Sequence, residues 1–344
     1  MLGRKPGDNG QVLALAEALG WPFETRRMDY RPTELLTNRL LGVTLLGRDA
    51  RRSDGLEPPW PALVITAGRR NEPIARWIQR EAGGPSACRL VHVGRPWAPV
   101  EAFDLIVTTP QYALPHHPRI LHTDAPMHRV SAAALAEAAA HWRPRLAGLP
   151  CPRIAVLLGG HVGPWTFDTA KGRDLGKRVD AMAREAGGSL LVSTSVRTPP
   201  DVIEALAGEL TAPHHLYRWR PDDPDNPYLG FLALADRIVV TSDSMSMLVE
   251  ATATGRPVWI YDLADPRGQG RPSLRRLIFH LGRLLGPRQL RRDVTAIHAR
   301  QIATGRALPL GQPWPADREL TPPADAAIAA ARVRALFPDV APAG

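Results

Sequence analysis

Residues 235–263, ADRIVVTSDSMSMLVEATATGRPVWIYDL, read as one strand–turn–helix–strand unit. Residues 238–241 and 257–261 are short apolar runs, and 245–254 carry a helical pattern between them. Runs of that length, bounded by turn residues, suit the buried strands of a parallel sheet. At the start of the helix Thr241, Ser242, Asp243, Ser244 and Ser246 crowd small hydroxyls and a carboxylate together. Exposed N–H groups and the positive end of the macrodipole make such a start a place for anions, phosphate above all. Glu250 follows Ser246 by four residues, one turn along the same face. Hydroxyls at the mouth and a carboxylate one turn deeper suit a nucleotide's diphosphate and ribose. The plain structural alternative is an N-cap followed by a solvated acid.

Outward from this unit, short apolar runs alternate with helical patterns, the mark of an α/β chain with parallel sheets. In the first half, strands are predicted at 62–66, 89–93 and 105–107, and helices at 11–19, 72–82 and 131–141. The Pro-rich stretch RPRLAGLPCPR (143–153) then precedes a fresh strand at 154–158, which sets a domain boundary at 149/150. The second half predicts a helix at 172–186, a strand at 190–192 and a helix at 201–210, followed by the opening unit. The expected organisation is a first domain over 1–149, a second over 150–315, and a linker with a returning amphipathic helix over 316–344. Two such domains imply a central cleft, the usual place for ligands.

At 344 residues the chain is long enough for two cores, and 44% hydrophobic content is ordinary for a globular protein. The net charge of +9 is carried by arginine, since the lysines are Lys5, Lys171 and Lys177 alone. A basic surface attracts phosphates, nucleic acid or anionic lipid. Without a helix-turn-helix pattern, zinc-ligand spacing or aromatic RNA-binding motif, nucleic acid is not the expected partner. No window reaches the roughly 18 apolar residues of a membrane span. MLGRKPGDNGQ has no signal core, so the expected location is the cytoplasm. Cys88 and Cys151 are expected to be buried free thiols.

Several further segments carry candidate chemistry. KPGDNGQ (5–11) opens the first helix, with Asp8 placed to serve as a base or as a cap. A doubly wound domain places a buried strand before such a loop. Only Met1 and Leu2 show that character, so either the first strand is missing or the domain starts differently. TAGRRNEP (66–73) puts Arg69 and Arg70 at a strand end, where they would bind phosphate or carboxylate unless they form a solvated turn. GGHVGPWTFD (159–168) offers close backbone approach at Gly159 and Gly160, with His161 and Trp165 as pocket walls. STSVRTP (193–199) adds Ser193, Ser195 and Arg197, and DNPYLGFLALAD (225–236) adds Asn226 and Tyr228. These segments converge on the carboxyl edge of one sheet, where open α/β proteins bind ligands.

Two stretches have apolar faces. In 271–292, Leu274, Leu277, Ile278, Leu281, Leu284 and Leu285 recur at helical spacing among Arg275, Arg276, Arg283, Arg291 and Arg292. The segment reads either as a contact for an anionic membrane or acceptor, or as a face buried against the protein. ELLTNRLLGVTLLG (34–47) is open to the same two readings. No tyrosine among Tyr30, Tyr112, Tyr217, Tyr228 and Tyr261 has a lysine four residues on, which argues against a short-chain epimerase or dehydrogenase. P-loop, Gly-x-Ser-x-Gly and His-Glu-x-x-His motifs are absent as well.

KPGDNGQ, AEALG, GRR, FDLIVTTP, LLGG, STSVRTP, NPY and above all VTSDSMSMLVEATATGRPV resemble the bacterial relatives of the plant elongated-mitochondria fission factor. The block from Asn226 to Pro257 is the most specific part of the likeness. That family is similar in turn to GT-B glycosyltransferases, which implies two Rossmann-like domains with parallel sheets facing a central cleft. The resemblance implies a metal-independent transferase with a nucleotide-sugar as co-substrate, no further cofactor, and an envelope or lipid-linked acceptor. Ser244 and Ser246 would hold phosphate, Glu250 the ribose, and Arg197 would add positive charge. Gly159, Gly160, Ser193, Ser195, Asn226, Ser242 and Asp243 would complete the nucleotide wall. Arg69, Arg70 and His161 would line the acceptor side, with Asp8 as the catalytic base. The alternatives it implies are a GT-B-type nucleotide-sugar epimerase and a non-catalytic membrane-surface adaptor, peripheral at the inner face of a membrane.

Overall fold

The structure, a computed structural model, describes residues 1–32, 38–161, 166–264, 293 and 295–338. It contains two compact units. Of the described residues, one holds Met1–Arg129, Asp293 and 324–338, and the other holds the rest between Val130 and Pro323. Trp165 and the basic segment 271–292 lie outside the described residues, as does 34–37 of the second apolar stretch. No described helix is long and apolar enough to cross a membrane.

The first unit is built on four parallel strands in the order β1 (Leu63–Ala67), β2 (Arg89–Val93), β3 (Leu105–Thr108) and β4 (Ile120–His122). Beyond β1 the chain start adds extended backbone. Met1 N donates to Ile65 O at 2.8 Å, and Leu2 forms a parallel bridge with Arg27. Residues 1–3 thus lie between β1 and the segment around Arg27. Met1 and Leu2 occupy the place in which the sequence pattern calls for a first strand. Counted in chain order the arrangement is 2-1-3-4-5-6, a doubly wound order that reverses between residues 1–3 and β1.

Side chains alternate across this sheet as period-2 geometry requires. Ile65, Val91, Val93, Leu105 and Val107 pack under α1 (Pro6–Leu19). Val64, Leu90 and Ile106 pack with Ile74 and Ile78 of α3 (Glu72–Glu81), which follows the short α2 (Asn38–Leu41). Fully buried Leu15 and Ile74 each contribute about 1.5–3 kcal/mol by leaving water. The chain's last helix, Asp325–Arg334, lies on α1 through Ala329, Ala330 and Val333. Arg334 donates to the terminal carbonyls Ala18 O and Leu19 O of α1 at 2.8 and 2.9 Å, where the helix dipole favours a cation. Buried Asp325 accepts from Asp124 N at 2.8 Å and fixes the other end.

The second unit opens with α4 (Ala132–Trp142) and β5 (Arg153–Leu157), then α5 (Thr169–Glu185), β6 (Ser189–Ser193), α6 (Pro200–Ala207) and β7 (His214–Tyr217). It continues with α7 (Tyr228–Leu234), β8 (Arg237–Thr241), α8 (Met245–Thr252), β9 (Val258–Tyr261), α9 (Thr295–Ala303) and β10 (Leu308–Pro309). With these labelled, the helix at Asp325–Arg334 is α10. All six strands are parallel in the order β10-β9-β8-β5-β6-β7. In chain order this is 3-2-1-4-5-6 with the last strand, β10, beyond β9 at the edge, and the order reverses between β5 and β8 as in a Rossmann sheet.

The break between the units falls before α4, whereas the Pro-rich stretch suggested 149/150. Trp142 explains the difference, because α4 docks on α7 at Gly230. A Cβ there would lie 2.3 Å from Trp142 Cδ1, so only glycine admits the indole. The proline-rich stretch is therefore a connection inside the second unit. Cys88 is buried as expected, but Cys151, in that connection, is exposed.

Candidate functional site

In the second unit, the strand order reverses at the carboxyl ends of β5 and β8, the position that leaves a crevice free of crossover helices. β5 leads into Gly159-Gly160 and β8 into the polar turn. Asp243, whose side chain is 0% exposed, fastens the two. Its Oδ2 accepts from Gly160 N at 2.7 Å and from Arg197 Nη2 at 2.8 Å, and its Oδ1 accepts from Thr241 Oγ1 at 2.7 Å. Gly159 N donates to Thr241 Oγ1 at 2.8 Å. The third loop, after β6, is tied in by Thr198, whose hydroxyl donates to Gly159 O at 2.7 Å.

This geometry explains the glycine pair. A Cβ on Gly159 would lie 2.0 Å from Asp243 Oδ2, and one on Gly160 would lie 2.2 Å from Arg197 O. The close approach expected of a ligand is made by the protein's own side chain and backbone. It also corrects the role of Asp243. A carboxylate enclosed by three protein donors does not hold phosphate; it positions Arg197, whose guanidinium is half-exposed.

The other residues expected there divide into groups. Ser195 accepts from Arg197 N at 3.3 Å and shapes the loop. Ser193 is buried within β6. Ser242 is drawn inward, accepting from Leu263 N at 3.0 Å. Ser244 is the N-cap of α8, accepting from Met247 N at 3.5 Å, and Ser246 is exposed on the first turn. Asn226 accepts from Tyr228 N at 3.0 Å, and the Tyr228 hydroxyl donates to Glu250. Burial raises the Glu250 carboxyl above its ordinary value, opposed by that hydrogen bond, and raises the Tyr228 phenol further. His161 accepts from Phe167 N at 3.0 Å through Nδ1.

The first unit has its own crevice at its own reversal. A cavity of about 320 Å³ is lined by Gly3 to Lys5, the first turn of α1, and the loops after β1 and β2. Asp8, Arg69 and Arg70 all line it, together with Arg4, Arg95, Trp97 and Tyr112, which the sequence did not single out. Arg95 and Trp97 sit in GRPW (94–97), directly after β2, so the strand-end rule that found Arg69 and Arg70 would have found them too. Gly68 and Gly94 turn the chain at the two strand ends with φ of +77° and +96°. Asn9 grips Gly3 in both directions at 2.8 Å, and Asn71 accepts from the Tyr30 hydroxyl at 2.7 Å.

Behind the cavity lies Glu72, 1% exposed. Its Oε1 accepts from Trp97 N at 2.8 Å, and its Oε2 accepts from Ala98 N and Asn38 Nδ2 at 2.9 Å. Asn38 in turn donates to Arg69 O at 2.8 Å, so one carboxyl group fixes both strand-end loops. Burial pushes the Glu72 carboxyl up to about 7 against the pull of those hydrogen bonds. His92, 3.7 Å from Oε1, is pushed down to about 4 by burial. Among the described residues no group of three or more His, Cys, Asp or Glu is placed to hold a metal ion.

The pattern of the mitochondrial fission ELM1 family matches residues 6–335. The chain belongs to that family. It is 29% identical over 245 residues to mitochondrial fission protein ELM1 of Arabidopsis thaliana, covering 64% of this chain and 54% of the plant protein. The chain thus spans about half the length of that ELM1 relative. It is 24% identical over 293 residues to the uncharacterized protein RP120 of Rickettsia prowazekii, covering 75% of this chain and 80% of that one. A solved structure similar to this ELM1-family chain is the UDP-GlcNAc 2-epimerase of Neisseria meningitidis bound to UDP-GlcNAc. The identity is 10%, the TM-score 0.43, and 97% of each chain is covered.

Proposed function

We propose that this ELM1-family chain binds a nucleoside-diphosphate sugar in the second unit and transfers the sugar to an acceptor, without a metal. The observation that carries this reading is Arg197, clasped by Asp243 at the β5/β8 reversal of a Rossmann-ordered sheet. A fixed guanidinium and the start of α8 supply positive charge where a leaving diphosphate would develop negative charge. Ser244 and Ser246 are assigned to the phosphates and Glu250 to the ribose, with Tyr228 orienting its carboxyl group. In the transfer, an acceptor hydroxyl forms the new bond to the anomeric carbon. The bond to the diphosphate breaks with its electron pair, and the hydroxyl proton passes to a general base.

Family membership supports a second reading, a non-catalytic adaptor at a membrane surface, because the plant relative is named for mitochondrial fission. Thermal stabilisation by UDP, GDP, CMP and their sugars separates the two. Under the transferase reading one of them raises the melting temperature, and Arg197→Ala abolishes the rise. No shift from any of them leaves the adaptor. A sugar nucleotide recovered with an inverted ring centre and no transfer product would make the protein an epimerase instead.

A further inference from the structure

The cavity of the first unit has a lining with a marked sign. Five basic side chains, Arg4, Lys5, Arg69, Arg70 and Arg95, face it with the single carboxylate Asp8 among its described lining residues. Arg4 also pairs with Asp29. Four arginines lie on aromatic rings: Arg69 is 5.0 Å from the Trp97 centroid, Arg4 5.4 Å and Arg70 5.8 Å from Tyr30, and Arg95 5.9 Å from Tyr112. A ring face orients a guanidinium through its π electrons. The Glu72 clasp fixes the backbone of the two loops that carry Arg69 and Arg95. The cavity also lies at the reversal of its own sheet and over the first turn of α1, where backbone amides favour an anion. At about 320 Å³ it is at the small end of the roughly 300–1,000 Å³ typical of ligand sites.

From these features we infer that the first unit binds a phosphate-bearing anion, a phosphomonoester or diphosphate group, in this cavity. Guanidinium forks match phosphate oxygens two at a time, and Lys5 adds a point charge at the rim. The binding site goes beyond the transferase reading and stands without it. The phosphate could belong to a soluble compound or to a lipid headgroup, and both have the same chemistry at the arginines.

The test uses the full chain and two probes, inorganic pyrophosphate by isothermal titration and phosphatidylcholine vesicles containing phosphatidic acid by flotation. Binding of at least one probe is expected, with affinity lowered about tenfold or more in Arg70→Gln and Arg95→Gln, as loss of a charge-assisted hydrogen bond requires. Lys5→Glu, at an exposed position outside the core, is expected to show a loss of similar size, which keeps the result independent of folding. Binding of pyrophosphate indicates a soluble ligand, and binding of vesicles alone indicates a lipid phosphate. Arg184→Gln, on the surface of α5 in the other unit, is expected to leave this binding intact, and Arg197→Gln reports any pyrophosphate held in the second unit. The inference is overturned if neither probe binds, if the three variants bind like the parent, or if only Arg197→Gln loses binding. Failure of every nucleotide sugar together with retained, Arg70-dependent phosphate binding would remove the transferase reading and leave this site.

Discussion

Replacing Glu72 by glutamine should change the pH dependence of stability in a defined window. Glu72 is 1% exposed, and burial lifts its carboxyl from 4.5 to about 7. Because the folded value is the higher one, the native state holds the proton more tightly than the unfolded chain. The stability this contributes is complete below 4.5 and is lost as pH rises through about 7. At about 1.4 kcal/mol per pH unit, a displacement of this size corresponds to about 3 kcal/mol. The glutamine side chain does not ionise, so the wild type should lose about 3 kcal/mol relative to Glu72→Gln as pH rises from 4.5 to beyond about 7. Burial pushes the neighbouring His92 down to about 4, below most of the window. A pH-independent offset of about 1–3 kcal/mol against the variant is also expected, because the glutamine amide would face a backbone N–H that now donates to oxygen. The assay is urea unfolding at a series of pH values, with amide exchange at Trp97 and Ala98 as the local readout. Parallel stability–pH curves for the two proteins would refute the reasoning.

Asp243→Ala strands Gly160 N–H and the Thr241 hydroxyl and releases Arg197. Breaking a buried ion pair costs about 3–5 kcal/mol, and the lower end applies because Arg197 is 46% exposed; a loss below about 1 kcal/mol in urea unfolding would show that Asp243 is no clasp. Gly160→Ala places a Cβ 2.2 Å from Arg197 O, so stability should fall by about 1–3 kcal/mol, and an unchanged unfolding midpoint would contradict that contact. Iodoacetamide should label exposed Cys151 in the native protein while Cys88 resists, being buried with its thiol pushed up to about 11. Peptide mass spectrometry showing native labelling of Cys88 would contradict its placement.

Most of the architecture was legible in the sequence, and the strands that were missed share one property. β4, β7 and β10 are all sheet edges. Edge strands are only partly buried, so their residues, ILH, HHLY and LP, form no apolar run. Central strands are covered on both faces and must be apolar along their whole length, which is why 238–241 and 154–157 stand out.

What the sequence by itself determined was the alternation of strands and helices, the class of the sheets, and the polar loops at their carboxyl ends. Those follow from local periodicity and from residues near in the chain. Only the tertiary structure decided which strands neighbour one another, and with that what each polar residue touches. Asp243 is expected in the nucleotide wall from its neighbours in the chain. It proves to be a clasp because Gly160 and Arg197, distant in sequence, meet it across adjacent strands. Arg69 and Arg95 join in one cavity because β1 and β2 pair in parallel and carry their trailing loops to the same edge. Glu72 shows its function only in the fold, since the groups it organises belong to two strand-end loops and to α2.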